Sequence, residues 1–275
     1  MIPSQRRQQL LDLLDTHSVL GIAELATHLA VSHMTVRRDI QRLEQAGQVL
    51  SVSGGVRRIA PLHREPAWPL KAATNIAAKR AIARHAASLV KPGQTIYLDA
   101  GTTLYELAAL LTGHHELCVI TNSFQVSALL ADYPQIELHH AGGRVDPDNH
   151  ATVGPAVAAY LSGVNLDLAF FSSSSWHLER GLTTPDEAKL VVKQQLLHSA
   201  ARRVLLADSA KYGRFGRFRA CSLEAFDLIV TDDALPSPAR QALAERGIAL
   251  SCVPVTAPAA AEGAGHSHPD LLLNR

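Results

Sequence analysis

The chain has 275 residues, 47% of them hydrophobic, with 26 Lys plus Arg against 25 Asp plus Glu. This length and apolar content suit a small domain followed by a larger one, and the charge balance excludes a strongly basic field over the whole protein, so any nucleic-acid contact must come from a local patch. Cys118, Cys221 and Cys252 lack the spacing of a zinc site or disulfide framework, and no apolar run approaches the ~18 residues of a membrane span, so a cytoplasmic protein with no metal, cofactor or membrane partner is expected.

In chain order, "MIPSQRRQQLLDLLD" opens an amphipathic helix rather than a targeting signal. The helix is predicted from about Ser4 to Asp15, with Leu10, Leu11, Leu13 and Leu14 on its apolar face. Ile22, Leu25, Ala26 and Leu29 repeat the helical pattern, and after the short break "AVS" Ser32 is a good N-cap for a third helix. There Val36, Ile40 and Leu43 form the inward stripe, and Gly47 is placed to end the helix as a left-handed cap. With that stripe inward, His33, Met34, Arg37, Arg38 and Gln41 cannot all point in, which puts the arginines outside.

Two helices joined by a short turn, the second showing Ser, His, Thr and Arg near its start, are the parts of a helix-turn-helix reader. Arginine offers a planar fork for guanine or phosphate, and Ser32 and Thr35 can donate to phosphate oxygens. "QVLSVSGGVRRI" reads as two strands around Gly54 and Gly55, a wing bearing Arg57 and Arg58. Between His33 and Arg58 five arginines (Arg37, Arg38, Arg42, Arg57, Arg58) face two acids, Asp39 and Glu44, which are expected to pair with neighbouring arginines and orient them. A solvated helix followed by an ordinary hairpin is the plainer reading; the order of helices, turn, cap and basic hairpin favours double-stranded operator DNA as partner, contacted by Ser32, His33, Thr35, Arg37, Arg38, Arg42, Arg57 and Arg58. This winged helix-turn-helix domain is assigned to residues 1–58.

Pro61, Pro66 and Pro69 discourage a long helix and mark a linker, assigned to residues 59–74 with its hinge near 59–70. From about Lys71 to Val90 an alanine-rich helix leads into an α/β domain assigned to residues 75–255. Its candidate strands are "TIYLDA", "CVITN", "IELHHAGG", "DLAFFSS", "RVLLADS", "DLIVTDD" and "IALSCV", with helices starting near Thr103, Ser123, Gly154, Pro185 and Pro238. Strands alternating with helices predict an open, mostly parallel sheet. Residues 256–275, rich in Ala, Gly and Pro, are expected to be disordered.

In such a sheet the strands' carboxyl ends gather along one edge, where ligands bind. Here they carry Asp99, Gly101, Thr102 and Thr103; Thr121 and Asn122; Gly142 and Gly143; and Asp208, Ser209 and Lys211. "GTT" entering a helix offers backbone N–H groups, hydroxyls and the positive end of the helix dipole to a phosphate or carboxylate, while Asp99 suits ligand hydroxyls or the loop itself. "GLTTPDEAKL" adds Lys189, which with Lys211 and Arg144 can neutralise an anion. Ser172 to Ser175, Trp176 and His177 either line the same pocket or form a loop.

"IAELATHLAVSHMTVRRDIQRLEQAG", followed by Gly54 and Gly55, resembles the deoxyribose-operon repressor (DeoR) family of bacterial transcription regulators. The resemblance runs to about residue 233 through Lys79, Ile82 and Ala83, "LDAGTT", "ITNS", Gly142 and Gly143, "LADSAK" and "IVTDD". It implies a sensor domain related to sugar-phosphate isomerases and CoA transferases, with an effector at Asp99, Gly101 to Thr103, Thr121, Asn122, Lys189 and Lys211. Two stretches depart from the family pattern: "SVSGGV" replaces a basic "R.HGGA" wing, and "FFSSSSWHLERGL" replaces a glycine-containing loop, which brings a sugar acid in beside a sugar phosphate. The expected function is a non-enzymatic repressor of a carbohydrate or sugar-acid operon, controlled by a small anionic sugar-derived effector. It is expected to act as a homo-oligomer addressing half-sites about 34 Å apart or a multiple of that. The alternatives are an isomerase-like sugar-phosphate enzyme with an appended DNA-binding domain, and a DNA-binding scaffold with an empty sensor.

Overall fold

The computed structural model describes residues 2–256 apart from Ser18, Gly47, Ser53 and Ala60. The cap expected at Gly47 and the tail from residue 257 lie outside the described residues. Helices α1 (Pro3–Thr16), α2 (Ile22–Leu29) and α3 (His33–Gln45) fall where the apolar periodicity placed them. Each start has a local cause: Pro3 sits in the first turn of α1, the Glu24 carboxylate accepts from Gly21 N–H at 2.7 Å, and Ser32 Oγ accepts from Thr35 N–H at 3.2 Å. Leu10, Leu25, Leu29, Val36, Ile40 and Leu43 close a small core with Val49 and Val56.

Strands β1 (Val49–Val52) and β2 (Gly55–Arg58) form the antiparallel wing. Leu20 and Val56 exchange backbone hydrogen bonds of 3.1 and 2.9 Å, locking the wing onto the helices. A Cβ on Gly55 would lie 2.2 Å from the Leu20 carbonyl oxygen, so this approach requires glycine.

The segment that follows is ordered: β3 (Pro61–Leu62), then α4 (Trp68–Ala73) with Pro69 in its first turn, then α5 (Ile76–Ala87). The single helix expected from Lys71 to Val90 is therefore two. The chain breaks at Thr74–Asn75, where Asn75 takes a left-handed φ of 54°, and the buried Lys79 ammonium donates to the Lys71 and Thr74 carbonyls that end α4.

The larger domain continues β4 (Thr95–Leu98), α6 (Thr102–Leu111), β5 (Leu117–Thr121), α7 (Phe124–Leu130), β6 (Ile136–His140), β7 (Arg144–Asp146), β8 (Ala151–Val153) and α8 (Pro155–Ser162). Then follow β9 (Leu166–Ser172), β10 (Ser175–His177), β11 (Gly181–Thr184), α9 (Glu187–Ser199), β12 (Ala200–Leu206), β13 (Phe215–Gly216), β14 (Phe218–Cys221), β15 (Leu228–Asp232), α10 (Ser237–Glu245) and β16 (Leu250–Val253). All seven predicted strands pair in parallel in the order β16-β15-β12-β9-β4-β5-β6. Alternate residues serve separate cores on the two faces: Ile96, Leu98 and Phe170 on one, Tyr97, Phe171 and Leu205 on the other. Three features were not anticipated: the antiparallel β10-β11-β14 sheet, the β7-β8 hairpin, and the pairing of β3 with β13, which ties the linker to the larger domain. The run "SSSSWH" thus divides, Ser175 to His177 becoming strand with Trp176 fully buried.

From β4 the sheet grows through β5 to β6, and then β9 returns to the other side of β4 and growth reverses. The β4–β9 boundary is a topological switch point, and a crevice opens beyond its carboxyl end. Among the described residues no helix is long and apolar enough to cross a membrane.

Candidate functional site

On the head, His33, Arg37, Arg38 and Arg42 are exposed on α3, and Met34 is 68% exposed. Ser32 Oγ also lies 3.0 Å from Thr35 Oγ1, so these hydroxyls shape the helix start that carries the arginines. The acids behave otherwise than expected. Buried Asp39 pairs with Arg6 and, at 3.7 Å, Arg7, clamping α1 to α3, and Glu44 accepts from Ser51 N–H at 2.8 Å.

Arg57 and Arg58 also need correction. The hairpin's pair nearest its turn is Val52–Gly55, so both lie at its root, opposite Leu50 and Val49, and not at its tip. Arg57 is only 6% exposed; its Nη1 donates to the Ala210 carbonyl at 3.0 Å, and burial, then the neighbouring Arg214, push its pKa down to about 10. It belongs to the junction between head and larger domain. Arg58 is half-buried and paired with Asp15.

At the switch point a tight cavity of about 40 Å³ is lined by Gly101 to Thr103, Asn122, Ser172 to Ser174, Lys189, Lys193 and Lys211, with Glu65 and Lys71 from the linker side. That is room for roughly three waters at ~10–15 Å³ each. A larger cavity of about 280 Å³ adjoins it across Glu65, Lys71, Thr102, Ser173, Ser174 and Lys211, and continues past Asn75, Lys79 and Arg214. Gly101 lets α6 approach β9, since a Cβ there would lie 2.8 Å from Ser172 Cβ. The first-turn amides of α6, which have no intrahelical partner, stand at the cavity. Thr103 Oγ1 and Ser173 Oγ are buried and have no hydrogen-bond partner among the described residues.

The charges are paired. Lys193 Nζ lies 2.6 Å from Asp99 Oδ2 and 2.8 Å from the Ser172 carbonyl. Asp99 also accepts from Ser172 N–H at 3.0 Å, Ser172 Oγ at 2.7 Å and Ala100 N–H at 2.9 Å. Glu65 Oε2 lies 2.9 Å from Lys71 Nζ and 3.0 Å from Lys189 Nζ, and Lys189 also reaches Asp146 at 3.4 Å. Burial would raise the Glu65 pKa, but Lys189 and Lys71 outweigh it and hold the carboxyl well below the usual carboxylate range. Burial lowers Lys71, whereas Glu65 and Asp146 overcome it at Lys189 and raise that ammonium. Lys79 is pushed down to about 8 by burial and by Lys211. Lys211 Nζ lies 3.5 Å from Asp208 Oδ2.

Asp99, Gly101, Thr102, Thr103, Asn122, Lys189 and Lys211 thus meet at one cavity. Asp99 is committed to Lys193 and the β9 end, so it organises the site rather than awaiting a ligand hydroxyl. Asn122 joins neighbouring segments, accepting from Ala100 N–H at 3.0 Å and donating to the Thr152 carbonyl at 2.8 Å. Three expectations fail. Thr121 Oγ1 donates to the Leu98 carbonyl at 2.7 Å and accepts from Ser123 N–H at 3.1 Å, a strand-to-strand tie outside the cavity lining. Gly142 and Gly143 follow β6, the sheet's edge strand, and are exposed outside the cavity lining, as is Arg144.

Of the two readings of the serine run, Ser172 to Ser174 take the pocket-lining one, whereas Glu65, Lys71 and Lys193 were missed. Lys193 was within reach, standing four residues after Lys189 on the same helix face; nothing local marks Glu65 or Lys71, which arrive by tertiary packing. The one grouping with metal-ligating atoms within 4.8 Å of one another among the described residues is Cys118, Glu137 and His139, on β5 and β6. Glu137 and His139 already pair there at 2.8 Å, away from the cavity.

Residues 6–61 match the DeoR-like helix-turn-helix domain and residues 74–233 the DeoR C-terminal sensor domain. The chain is 42% identical over 253 residues to an uncharacterized HTH-type transcriptional regulator of Haemophilus influenzae, covering 92% of this chain and 98% of that protein. It is 43% identical to the uncharacterized HTH-type transcriptional regulator YgbI of Escherichia coli, covering 91% and 98%. Among solved structures it is similar to ribose 5-phosphate isomerase A of Methanocaldococcus jannaschii, with 21% identity, a TM-score of 0.38, and coverage of 50% of this chain and 55% of that one.

Proposed function

Because the chain belongs to the DeoR family of helix-turn-helix transcriptional regulators, we propose that it represses a carbohydrate or sugar-acid operon and responds to a phosphorylated sugar or sugar acid bound at the switch-point cavity. In this reading Arg37, Arg38 and Arg42 of α3, with His33, meet the major groove, and Ser32 and Thr35 lie by the phosphates. The effector's acidic group meets the α6 N-terminus with Thr102, Thr103 and Ser173, and Lys189 and Lys211 balance its charge. The protein acts as a homo-oligomer, since one reading head spans too few base pairs to specify an operator.

The observation that carries the sensor reading is the pair of orphaned hydroxyls. Leaving a buried polar group unpaired costs about 1–3 kcal/mol, and Thr103 Oγ1 and Ser173 Oγ do so at one cavity that also holds a helix N-terminus. An acidic, hydroxyl-rich ligand supplies the missing partners. Thermal unfolding of the purified protein against a panel of sugar phosphates and sugar acids tests this, followed by DNA binding with any stabilising compound. The expected result is a stabilising compound that shifts DNA affinity and is recovered unchanged. Consumption of the compound would replace the regulator reading of this domain with an enzymatic one, and a panel without a binder would leave only the DNA-binding reading.

A further inference from the structure

We propose that Glu65 is an internal carboxylate holding Lys189, a cation the effector's acidic group needs, and that the effector acts on the reading head by displacing that carboxylate. This rests on the ligand site proposed above and adds how that site is regulated. The linker residue Glu65 reaches the cavity between β3 and α4, where Lys71 and Lys189 grip one carboxylate oxygen at 2.9 and 3.0 Å and Ser174 Oγ donates to the other. The site therefore already binds a carboxylate, supplied by the chain itself.

The charge pattern explains why something must leave. Lys71, Lys189, Lys193 and Lys211 face Glu65, Asp146, Asp99 and Asp208, so each ammonium has a carboxylate partner without any ligand. An incoming anion adds charge to this set of buried or half-buried pairs unless a carboxylate gives way. Asp99 follows β4, Asp146 closes β7 and Asp208 follows β12, so moving any of these disturbs the sheet or its hairpin. Glu65 alone among the four lies on the linker.

The linker also has a short route to the head. Four residues before Glu65, Pro61 starts the two-residue pairing with Phe215–Gly216. Just before that lies the wing root, where Arg57 donates to the Ala210 carbonyl, next to cavity-lining Lys211. Expelling Glu65 releases the strap between cavity and wing, and a ligand that binds the released form better shifts the population toward it.

The test uses the full chain and inorganic phosphate as the probe. Glu65→Gln keeps the size and removes the charge, and is expected to bind phosphate at least about tenfold more tightly than the wild type, by calorimetry. In the wild type, phosphate is expected to speed amide hydrogen exchange across residues 61–73, and Glu65→Gln to show that faster exchange without phosphate. Unchanged phosphate affinity in the variant, or exchange in 61–73 that phosphate leaves unaltered in the wild type, overturns the proposal; the wild-type measurement decides if the variant does not fold. Thr103→Val separates the two readings. If it loses phosphate while Glu65→Gln behaves as wild type, the ligand site stands and the displacement fails; if it binds phosphate as before, the ligand site itself is misplaced.

Discussion

The exposed face of α3 and the switch-point cavity hold their cations in opposite ways. On α3, Arg37, Arg38 and Arg42 are exposed and form no ion pair among the described residues, whereas Lys71, Lys189, Lys193 and Lys211 at the switch-point cavity are at least half-buried and each has a carboxylate within 3.5 Å. A solvated guanidinium waits for a polyanion at little desolvation cost, and its contacts are read out as salt-dependent affinity. A buried ammonium without a partner would be expensive, so the cavity carries its own acids. In the proposed reading, binding at the head is addition and binding in the cavity is exchange.

The contrast is sharpest at Lys193. Lys193→Met removes the cation from a buried pair and strands Asp99, so a loss of about 3–5 kcal/mol is expected in urea unfolding followed by the emission of buried Trp176; a loss under about 1 kcal/mol would show that the pair is not buried in solution. Arg38→Ala leaves nothing stranded, so stability should hold while affinity for DNA selected from a random library falls by about 1–3 kcal/mol. Unchanged DNA binding would remove α3 from the interface.

The pH dependence of stability reports on Glu65. Its folded pKa lies below the ordinary 4.5, so its contribution is complete above that value and is lost as pH falls through the folded one. From about pH 6 to about pH 3.5 the wild type should therefore lose on the order of 1–2 kcal/mol more than Glu65→Gln in urea titrations. Equal slopes would mean that Glu65 does not sit between Lys71 and Lys189 in solution. The smallest change in stability is expected for Thr103→Val. The lost hydroxyl has no partner among the described residues, so unfolding free energy should stay within about 0.5 kcal/mol of wild type or rise, while stabilisation by any effector disappears. A clear loss of stability would give Thr103 a structural role instead.

Much of this was legible along the chain. Val36, Ile40 and Leu43 at helical spacing put Arg37 and Arg38 outside, and Ser32 was marked as a cap by its type and place. The seven parallel strands announced themselves as apolar runs between helices, and "GTT" after "LDA" announced a polar helix start at a strand end. Each of these signals spans a few residues and depends on local geometry alone.

What escaped depends on contacts distant in sequence. Asp39 stands among arginines on α3 yet pairs with Arg6 and Arg7, because the core that buries Leu10 and Val36 brings α1 alongside. Arg57 has the same charge as Arg38 but is taken up by the junction at Ala210, because it lies at the wing's root. Residue type could not separate Gly101 from Gly142; strand order did, placing one at the switch point and the other beyond an edge strand. The amino-acid sequence by itself determined the two folds and the chemical character of both surfaces, because periodicity, capping and strand-end polarity are properties of neighbouring residues. Only the tertiary structure decided which charges are free and which are engaged, and it placed Glu65 of a proline-rich linker in the switch-point cavity, because pairing a buried charge depends on what the whole chain brings within about 4 Å.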